Sequence, residues 1–253
     1  EGTYKNLENA LANPKDVIRL KLGHKQMKEL PKEIETLVNL EALELEYNQL
    51  KTLPPEIGKL SKLKRLTFFH NDIEKLPTEI GNLSLLEKLI LSNNKLTALP
   101  PEIGKLKNLR ELSAKDNSIK IIPAQIGDLK NLEQLFLSYN YLTEIPAEIL
   151  KLHKLEQLYL NNNTLTKLPP EIGNLQQLKY LYIGKNSLHA LPLQICLLAN
   201  LQELSVSKCG HIGALPDCLS GLAFLELIII DGSQSLPYSM SVHHNFRLKV
   251  VNE

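Results

Sequence analysis

The 253-residue sequence has no tryptophan, only three cysteines and no long apolar segment. Three cysteines (Cys196, Cys209 and Cys218) cannot all pair and are too few for a disulfide-stapled scaffold, so they do not decide the redox compartment. Since no apolar run approaches the roughly 20 residues of a membrane-spanning helix, we expect no membrane span. The chain opens EGTYKNL, without Met and without a signal-peptide pattern, which we interpret as a trimmed end that omits the targeting information.

The sequence also lacks an excess of either charge and lacks the common enzyme motifs. Lys and Arg number 29 against 28 Asp and Glu, a formal net charge of +1. Such a balance gives no long-range attraction to nucleic acid or to an anionic membrane, so neither is predicted as a partner. GxGxxG, GxxxxGK[ST], GxSxG, HExxH and CxxC do not occur. We therefore predict no enzyme activity, no catalytic residues and no cofactor.

Prolines and asparagines recur at a fixed interval of 23 residues. The prolines are Pro31, Pro54, Pro77, Pro100, Pro123, Pro146, Pro169 and Pro192, and the asparagines are Asn48, Asn71, Asn94, Asn117, Asn140, Asn163 and Asn186. One unit reads LEQLYLNNNTLTKLPPEIGNLQQ from residue 155, and its pattern is LxxLxLxxNxLxxLPxxIxxLxx. Nine units begin at Val17, Leu40, Leu63, Leu86, Leu109, Leu132, Leu155, Leu178 and Leu201. A fixed period in this range is typical of a solenoid.

Each unit has two halves with different physics. The LxLxx half alternates apolar and polar residues, which predicts a short parallel strand with one buried face. The LPPEIGNL half spaces its apolar residues by three and four, with Pro at its start and Glu in its first turn, which predicts one helical or 3₁₀ turn. Because one unit cannot bury both halves alone, successive strands must pair about 4.8 Å apart. The sequence therefore predicts an α/β solenoid.

The repeated asparagines are predicted to be structural. Where the chain leaves each strand, backbone N–H and C=O groups would be buried without partners, and an amide side chain can both donate to them and accept from them. The carboxylates that recur in the first convex turn are interpreted in the same way, as acids at the start of helical turns: Glu33, Glu56, Glu79, Glu102, Glu148 and Glu171.

These motifs make the chain resemble leucine-rich repeat proteins. The form LPxEIGxLxNL is similar to a bacterial 23-residue subgroup of spirochaetes and Bacteroidetes, and the opening TYKNLENALANPKDVIRLKL is similar to the helical cap before their first strand. The resemblance implies a right-handed horseshoe with a concave parallel sheet and convex short helical or 3₁₀ turns. It also implies protein recognition and export to the bacterial surface or medium.

We expect residues 1–253 to form a single domain. Residues 1–16 are expected to be an N-terminal helical cap, 17–224 nine units, and 225–253 a degenerate repeat with a closing segment NFRLKVV. Departures from the pattern mark the ends, since Lys25, Cys209 and Ser233 occupy the asparagine position of the first, ninth and tenth units. Open solenoid ends expose strand edges, so they need atypical caps.

Candidate metal ligands give only weak patterns. Cys209, His211 and Cys218 supply three soft ligands without the paired CxxC spacing of structural zinc sites, so no metal is predicted. A disulfide between Cys196 and Cys218, on the convex side of successive units, stays open. His24 and His70 share a column two units apart, about 10 Å, too far to bind one metal ion. Tandem His243 and His244 are expected to be solvated.

Aromatic residues lie mainly on one face of the predicted sheet. Side chains alternate along a strand, so the third, fifth, seventh and eighth positions of each unit face the concave side, with the tenth at its rim. Eight of the chain's aromatic residues occupy these positions: Tyr47, Phe69, Phe136, Tyr139, Tyr141, Tyr159, Tyr180 and Tyr182. We predict these residues to bind a partner.

Three of these rings are predicted to form a column. Phe136, Tyr159 and Tyr182 share the fifth position of consecutive units, with Tyr180 and Tyr139 beside them. Each ring could offer about 150–250 Å² of contact, more in total than a monomer usually leaves exposed. Units four and five manage without aromatics in the same columns: they have Lys88, Ile90, Ser92, Glu111, Ser113 and Lys115. This uneven placement favours a binding patch centred on repeats six to eight.

Three other interpretations stay open. The column could simply stabilise the sheet, at about 0.2–1 kcal/mol per pair. The rings could stack on sugars beside Gln134, Gln157, Asn161 and Asn162, which would make the chain a glycan-binding or adhesion module. The chain could also be the recognition segment of a larger enzyme, such as a leucine-rich repeat ubiquitin-ligase effector. We favour a non-catalytic protein–protein interaction module, secreted or at the cell surface, whose partner the sequence does not name.

Overall fold

The computed structural model describes residues 2–210, 212–232, 234–237 and 246–251. Its strands form one twelve-stranded parallel sheet whose spatial order follows the chain order. The strands are β1 Thr3–Tyr4, β2 Arg19–Lys21, β3 Ala42–Glu44, β4 Arg65–Thr67, β5 Lys88–Ile90, β6 Glu111–Ser113, β7 Gln134–Phe136, β8 Gln157–Tyr159, β9 Tyr180–Tyr182, β10 Glu203–Ser205, β11 Leu227–Ile230 and β12 Arg247–Val250.

The connections on the convex side are short. One α-helix, α1 (Leu7–Ala12), precedes β2, and each strand from β2 to β10 is followed by a 3₁₀ turn. The turns are Lys32–Thr36, Pro55–Lys59, Thr78–Asn82, Pro101–Lys105, Ala124–Asp128, Ala147–Lys151, Pro170–Asn174, Leu193–Leu197 and Asp217–Gly221. A proline precedes every one of these turns. Its backbone is extended in each case except at Pro216, whose ψ is smaller. The predicted solenoid of parallel strands and short convex turns is confirmed.

The apolar residues of each unit fill one continuous core between the sheet and the turns. In the seventh unit Leu155, Leu158, Leu160, Leu165 and Ile172 are completely buried. Burying one such side chain contributes about 1.5–3 kcal/mol, so stacked units are stable where a single unit would not be. Since the core takes the alternate strand residues, the remaining strand residues face the concave side.

The repeated asparagines bond the backbone of two units at once, as predicted. Asn140 accepts from the Ile119 N–H at 2.9 Å and donates to the carbonyls of Ala114 and Leu137 at 3.0 Å. The same pattern holds at the other six positions of the series: Asn48, Asn71, Asn94, Asn117, Asn163 and Asn186. This series, the asparagine ladder, fixes where each strand ends.

Two departures from the ladder are accommodated locally. Asn48 compensates for Lys25 by accepting from the backbone N–H groups of both Lys25 and Met27, at 3.0 Å each. Cys209 is completely buried and its thiol donates to the Ile183 carbonyl at 2.9 Å. Burial raises the pKa of this thiol to about 12, so it remains a protonated donor. Ser233, the tenth ladder position, lies outside the described residues.

Both ends of the sheet carry features that the sequence analysis did not specify. The expected N-terminal helix is present as α1, but β1 precedes it and extends the sheet by pairing with β2. At the other end β12, within the expected closing segment, pairs with β11. Cys196 and Cys218 form a disulfide with a Cα–Cα distance of 5.8 Å, joining the last two convex turns. His243 and His244 lie outside the described residues.

A glycine in most convex turns allows close stacking of successive units. A Cβ atom on Gly127 would lie 2.4 Å from the Glu148 carbonyl oxygen of the next turn, closer than real atoms approach. The next unit has Leu150 at this position, and its side chain is buried. The turns of repeats six and seven accordingly contact each other less extensively.

Candidate functional site on the concave sheet

The rings of Phe136, Tyr159 and Tyr182 stack across three neighbouring strands. They pair directly in the register of β7, β8 and β9. The ring centroids of Phe136 and Tyr159 lie 5.0 Å apart with a 44° tilt, and those of Tyr159 and Tyr182 lie 4.6 Å apart and nearly parallel, at 5°. We call these three residues the aromatic column. The predicted alignment of the three rings is confirmed.

Stacking changes what the aromatic column offers to a partner. The three side chains are half-buried, because each ring covers a face of its neighbour. The expectation that every ring would present most of its area is therefore wrong for these residues. Tyr159 has a ring neighbour on each side, whereas Phe136 and Tyr182 each have one.

A carboxylate closes the C-terminal end of the aromatic column. The Tyr182 hydroxyl donates to the Glu203 carboxylate. Burial first, and then this hydrogen bond and the negative charge of Glu203, raise the pKa of Tyr182 well above its usual value. Burial and the same charge raise the pKa of Tyr159. Both phenols therefore stay neutral, with the Glu203 carboxylate beside them.

A second aromatic group lies near the N-terminal end of the sheet. Tyr47 stacks on His24 at 4.4 Å, meets Phe69 edge-on at 5.0 Å and lies 4.8 Å from His70. We call these four residues the N-terminal cluster. In the sequence the two histidines suggested only metal ligands, although Tyr47 occupies the same position in the unit between them. The shared eighth position of three consecutive units was the signal that could have shown it.

Two tyrosines have a backbone conformation that is unfavourable for this residue type. Tyr47 and Tyr139 have φ of 54° and 58°, in the left-handed region. Non-glycine residues pay about 1–2 kcal/mol there, and Asn or Asp tolerates it best. Asn93, Asp116 and Asn162 occupy the same position in other units. Local backbone preference therefore does not explain the tyrosines.

Tyr139 and Tyr141 are the most accessible of the predicted contact residues. Their exposed fractions are 47% and 56%. The Lys115 ammonium lies 5.2 Å from the centre of the Tyr139 ring, in a cation–π arrangement. Tyr141 stands at the rim, and Tyr180 is half-buried beside the aromatic column. The structure thus brings Phe136, Tyr159, Tyr180 and Tyr182 together, with Tyr139 and Tyr141 alongside, and separates Tyr47 and Phe69 from them.

The centre of the concave sheet is free of charged residues, which the sequence analysis overlooked. Repeats one to five, eight and nine each have at least one charged residue or histidine among their third, fifth, seventh and eighth positions. Repeats six and seven have none there; those positions hold Gln134, Phe136, Ser138, Tyr139, Gln157, Tyr159, Asn161 and Asn162. Loss of charge at the middle of a surface, with aromatics enriched, is typical of the core of a protein interface.

Neither a metal site nor a membrane-spanning helix is found among the described residues. Within the ranges described above, no three His, Cys, Asp or Glu side chains lie close enough together to hold a metal ion. His211, one of the candidate ligands, lies outside those ranges. Among the same residues, no helix has both the length and the apolar character needed to cross a membrane.

Solved structures of several leucine-rich repeat proteins are similar to this chain. A leucine-rich repeat protein of Leptospira interrogans is 28% identical, with a TM-score of 0.70, over 100% of this chain and 88% of that one. An internalin of Listeria monocytogenes is 17% identical, with a TM-score of 0.82, over 98% and 72%. The ectodomain of the Arabidopsis thaliana receptor kinase GASSHO1/SCHENGEN3, solved with CASPARIAN STRIP INTEGRITY FACTOR 2, is 26% identical, with a TM-score of 0.74, over 96% and 34%. A comparison with curated protein sequences found no match.

A sequence model of the leucine-rich repeat region matches four overlapping segments of this chain. They are residues 15–89, 66–140, 102–177 and 146–241, which together cover most of its length. The repeated unit, the asparagine ladder and the open parallel sheet agree with that match. The chain belongs to the leucine-rich repeat family.

Proposed function

We propose that the chain is a non-catalytic module that binds a partner protein on its concave sheet, with the contact centred on repeats six to eight. Leucine-rich repeat domains generally mediate protein–protein interaction and generally act as non-catalytic scaffolds. The observation that carries the proposal is the aromatic column, two of whose three rings lie in the repeats without charged residues at the concave positions. The proposed contact residues are Tyr47, Phe69, Phe136, Tyr139, Tyr141, Tyr159, Tyr180 and Tyr182.

Two physical arguments favour binding over a purely structural role. Aromatic pairs across strands do stabilise a sheet, but only by about 0.2–1 kcal/mol each. Tyr139 is exposed and sits in a left-handed conformation, so it adds a cost that sheet stabilisation does not require. Tyrosine is also among the residue types most enriched in the energetic centres of protein interfaces.

The geometry favours a protein over a glycan. A sugar ring stacks on a free aromatic face, whereas the faces of Tyr159 and Tyr182 cover each other at 4.6 Å. A protein surface can instead approach the ring edges and hydroxyls and bond to the neighbouring amide side chains of Gln134 and Gln157. If the chain is the recognition segment of a larger enzyme, the complete open reading frame would encode a catalytic domain beside it.

We infer that the protein is exported to the bacterial surface or medium. The Cys196–Cys218 disulfide supports this, because such bonds persist mainly in oxidising compartments. The LPxEIGxLxNL units, which are similar to a bacterial 23-residue subgroup, and the similarity to the Leptospira protein also support it. We further propose the division into a cap (residues 1–16), nine units (17–224) and a degenerate repeat with a C-terminal cap (225–253), all within one domain.

The double variant Tyr159→Ala/Tyr182→Ala tests the proposal. Proteins captured from bacterial surface and host-cell extracts by the wild type should be lost with this variant, because it removes two rings of the aromatic column. Leu193→Ala/Leu197→Ala is the matched control, since it removes two exposed apolar side chains from the convex side. Circular dichroism would establish that both variants fold.

A glycan array run on the same three proteins separates the alternatives. Glycan binding that depends on Tyr159 and Tyr182, without any captured protein, would replace the protein-binding proposal with the glycan one. Capture that is equal for the wild type and the folded double variant would refute the proposed site.

A further inference from the structure

The aromatic column ends at a gap on its N-terminal side. The fifth-position residues of β4 to β7 pair in register as Thr67, Ile90, Ser113 and Phe136. Ser113 is the smallest of the four, and its hydroxyl is hydrogen-bonded to that of Ser92 at 2.7 Å. No ring therefore stands in this row between Phe136 and Ile90, although the strand spacing continues unchanged.

The gap is part of a pocket with apolar walls. The pocket is a shallow depression open to solvent, with a volume of about 420 Å³, and Phe69, Ile90 and Phe136 are among the residues that line it. Sites for small organic groups usually measure about 300–1,000 Å³. Phe69 also belongs to the N-terminal cluster. The pocket thus lies between the two aromatic groups, where a partner that contacted both would have to cross the sheet.

Each charged residue of the pocket lining already has a contact within the protein. Lys88 and Glu111 form an ion pair at 2.5 Å, and the Lys115 ammonium lies over the Tyr139 ring. An anionic or cationic occupant would have to compete with these contacts. The pocket therefore suits a neutral group.

We propose that this pocket receives one neutral aromatic side chain of the partner, of the tyrosine or tryptophan type, inserted above Ser113; the proposal rests on the proposed protein-binding function. A ring there would lie roughly 4.8 Å from both Phe136 and Ile90. Tyr159 keeps similar separations from its neighbours, 5.0 and 4.6 Å. The inserted ring would extend the aromatic column by one member. Tyrosine and tryptophan are the side chains most often found as interface anchors.

The pocket can be probed without knowing the partner. N-acetyl-tyrosinamide and N-acetyl-leucinamide are titrated to millimolar concentration into the ¹⁵N-labelled full chain, and amide shifts are followed by NMR. We expect the tyrosine probe to shift the amides of Ile90, Ser113 and Phe136, and to do so more than the leucine probe. The variant Ser113→Tyr, which fills the gap with its own ring, should bind the tyrosine probe about tenfold more weakly.

Ser118→Tyr is the matched control, because it adds the same side chain in the same unit but outside the pocket lining. It should bind the tyrosine probe as the wild type does. Absence of shifts at the pocket, or equal binding by Ser113→Tyr and the wild type, would overturn the inserted-ring proposal. Neither result would refute the proposed function, which depends on Tyr159 and Tyr182. Loss of partner capture in the Tyr159/Tyr182 double variant with no probe binding at Ser113 would therefore place the contact on the aromatic column alone.

Discussion

Replacing one asparagine of the ladder measures how strongly it holds the solenoid. In Asn140→Ala, the Ile119 N–H loses its acceptor at 2.9 Å in a site where Asn140 is only 5% exposed. The carbonyls of Ala114 and Leu137 each keep another donor, because Asn117 and Asn163 also bond to them, at 3.1 and 3.0 Å. The variant therefore leaves one backbone group without a partner, while two carbonyls lose one of two bonds.

The expected loss of stability follows from that count. An unsatisfied buried N–H costs about 1–3 kcal/mol, and the weakened carbonyls add less, so we expect a loss of about 2–3 kcal/mol. Urea unfolding followed by circular dichroism would measure it as a lower midpoint. Asn140→Cys should lose less than Asn140→Ala, because Cys209 shows that a thiol can replace the donor.

Thr143→Ala, an exposed neighbour, is the control and should leave the midpoint unchanged. If Asn140→Ala shifted the midpoint no more than Thr143→Ala, the ladder would not hold the strand ends as described. If instead the loss far exceeded 3 kcal/mol, the shared carbonyl bonds would have to matter more than we infer.

Three further predictions concern the concave residues and the convex turns. The pKa of Tyr182 is raised above its usual 10.0, so its contribution to stability is present below about pH 10 and is lost at higher pH. Tyr182→Phe should therefore lose less stability than the wild type between about pH 8 and 11. Equal losses would contradict the Tyr182–Glu203 contact. Tyr139→Asn relieves part of the roughly 1–2 kcal/mol backbone cost, because Asn tolerates the left-handed region better, and it loses a cation–π contact of about 0.5–1 kcal/mol. Thermal unfolding should therefore show nearly unchanged stability together with weaker partner binding. A drop of more than about 1 kcal/mol would show that the tyrosine is structural. Gly127→Ala should lower the free energy of unfolding by about 1–3 kcal/mol in urea, because its Cβ would meet the Glu148 carbonyl. Gly221→Ala, with open space at its Cβ, should have little effect. Similar values for the two variants would refute the close stacking of the turns.

The periodic features of the structure were predictable from the sequence. Residues at one position of a 23-residue unit become neighbours as soon as the strands pair in parallel, so the period alone placed Phe136, Tyr159 and Tyr182 in one row. The roles of Asn140 and its equivalents followed from backbone groups that need partners wherever the chain leaves a strand. These predictions needed only the repeat and the strand geometry.

Features that depend on side-chain contacts between different unit positions were not predictable. Pairing of Cys196 with Cys218 depends on how closely the last convex turns approach. The mutual covering of the Tyr159 and Tyr182 rings depends on rotamers, and the two-residue strand β1 is too short to have a pattern of its own. The pocket above Ser113 needed the positions of residues from four units at once.

Site-specific photo-crosslinking tests the central claim most directly. A benzoylphenylalanine placed at Tyr141, on the concave rim, lies beside the aromatic column, whereas one at Leu193 lies on the convex side with a similar or greater exposure, 70% against 56%. On irradiation with the captured partner, we predict a covalent adduct from position 141 and none from position 193. An adduct from position 193 alone would place the partner on the convex side and contradict the proposed binding surface.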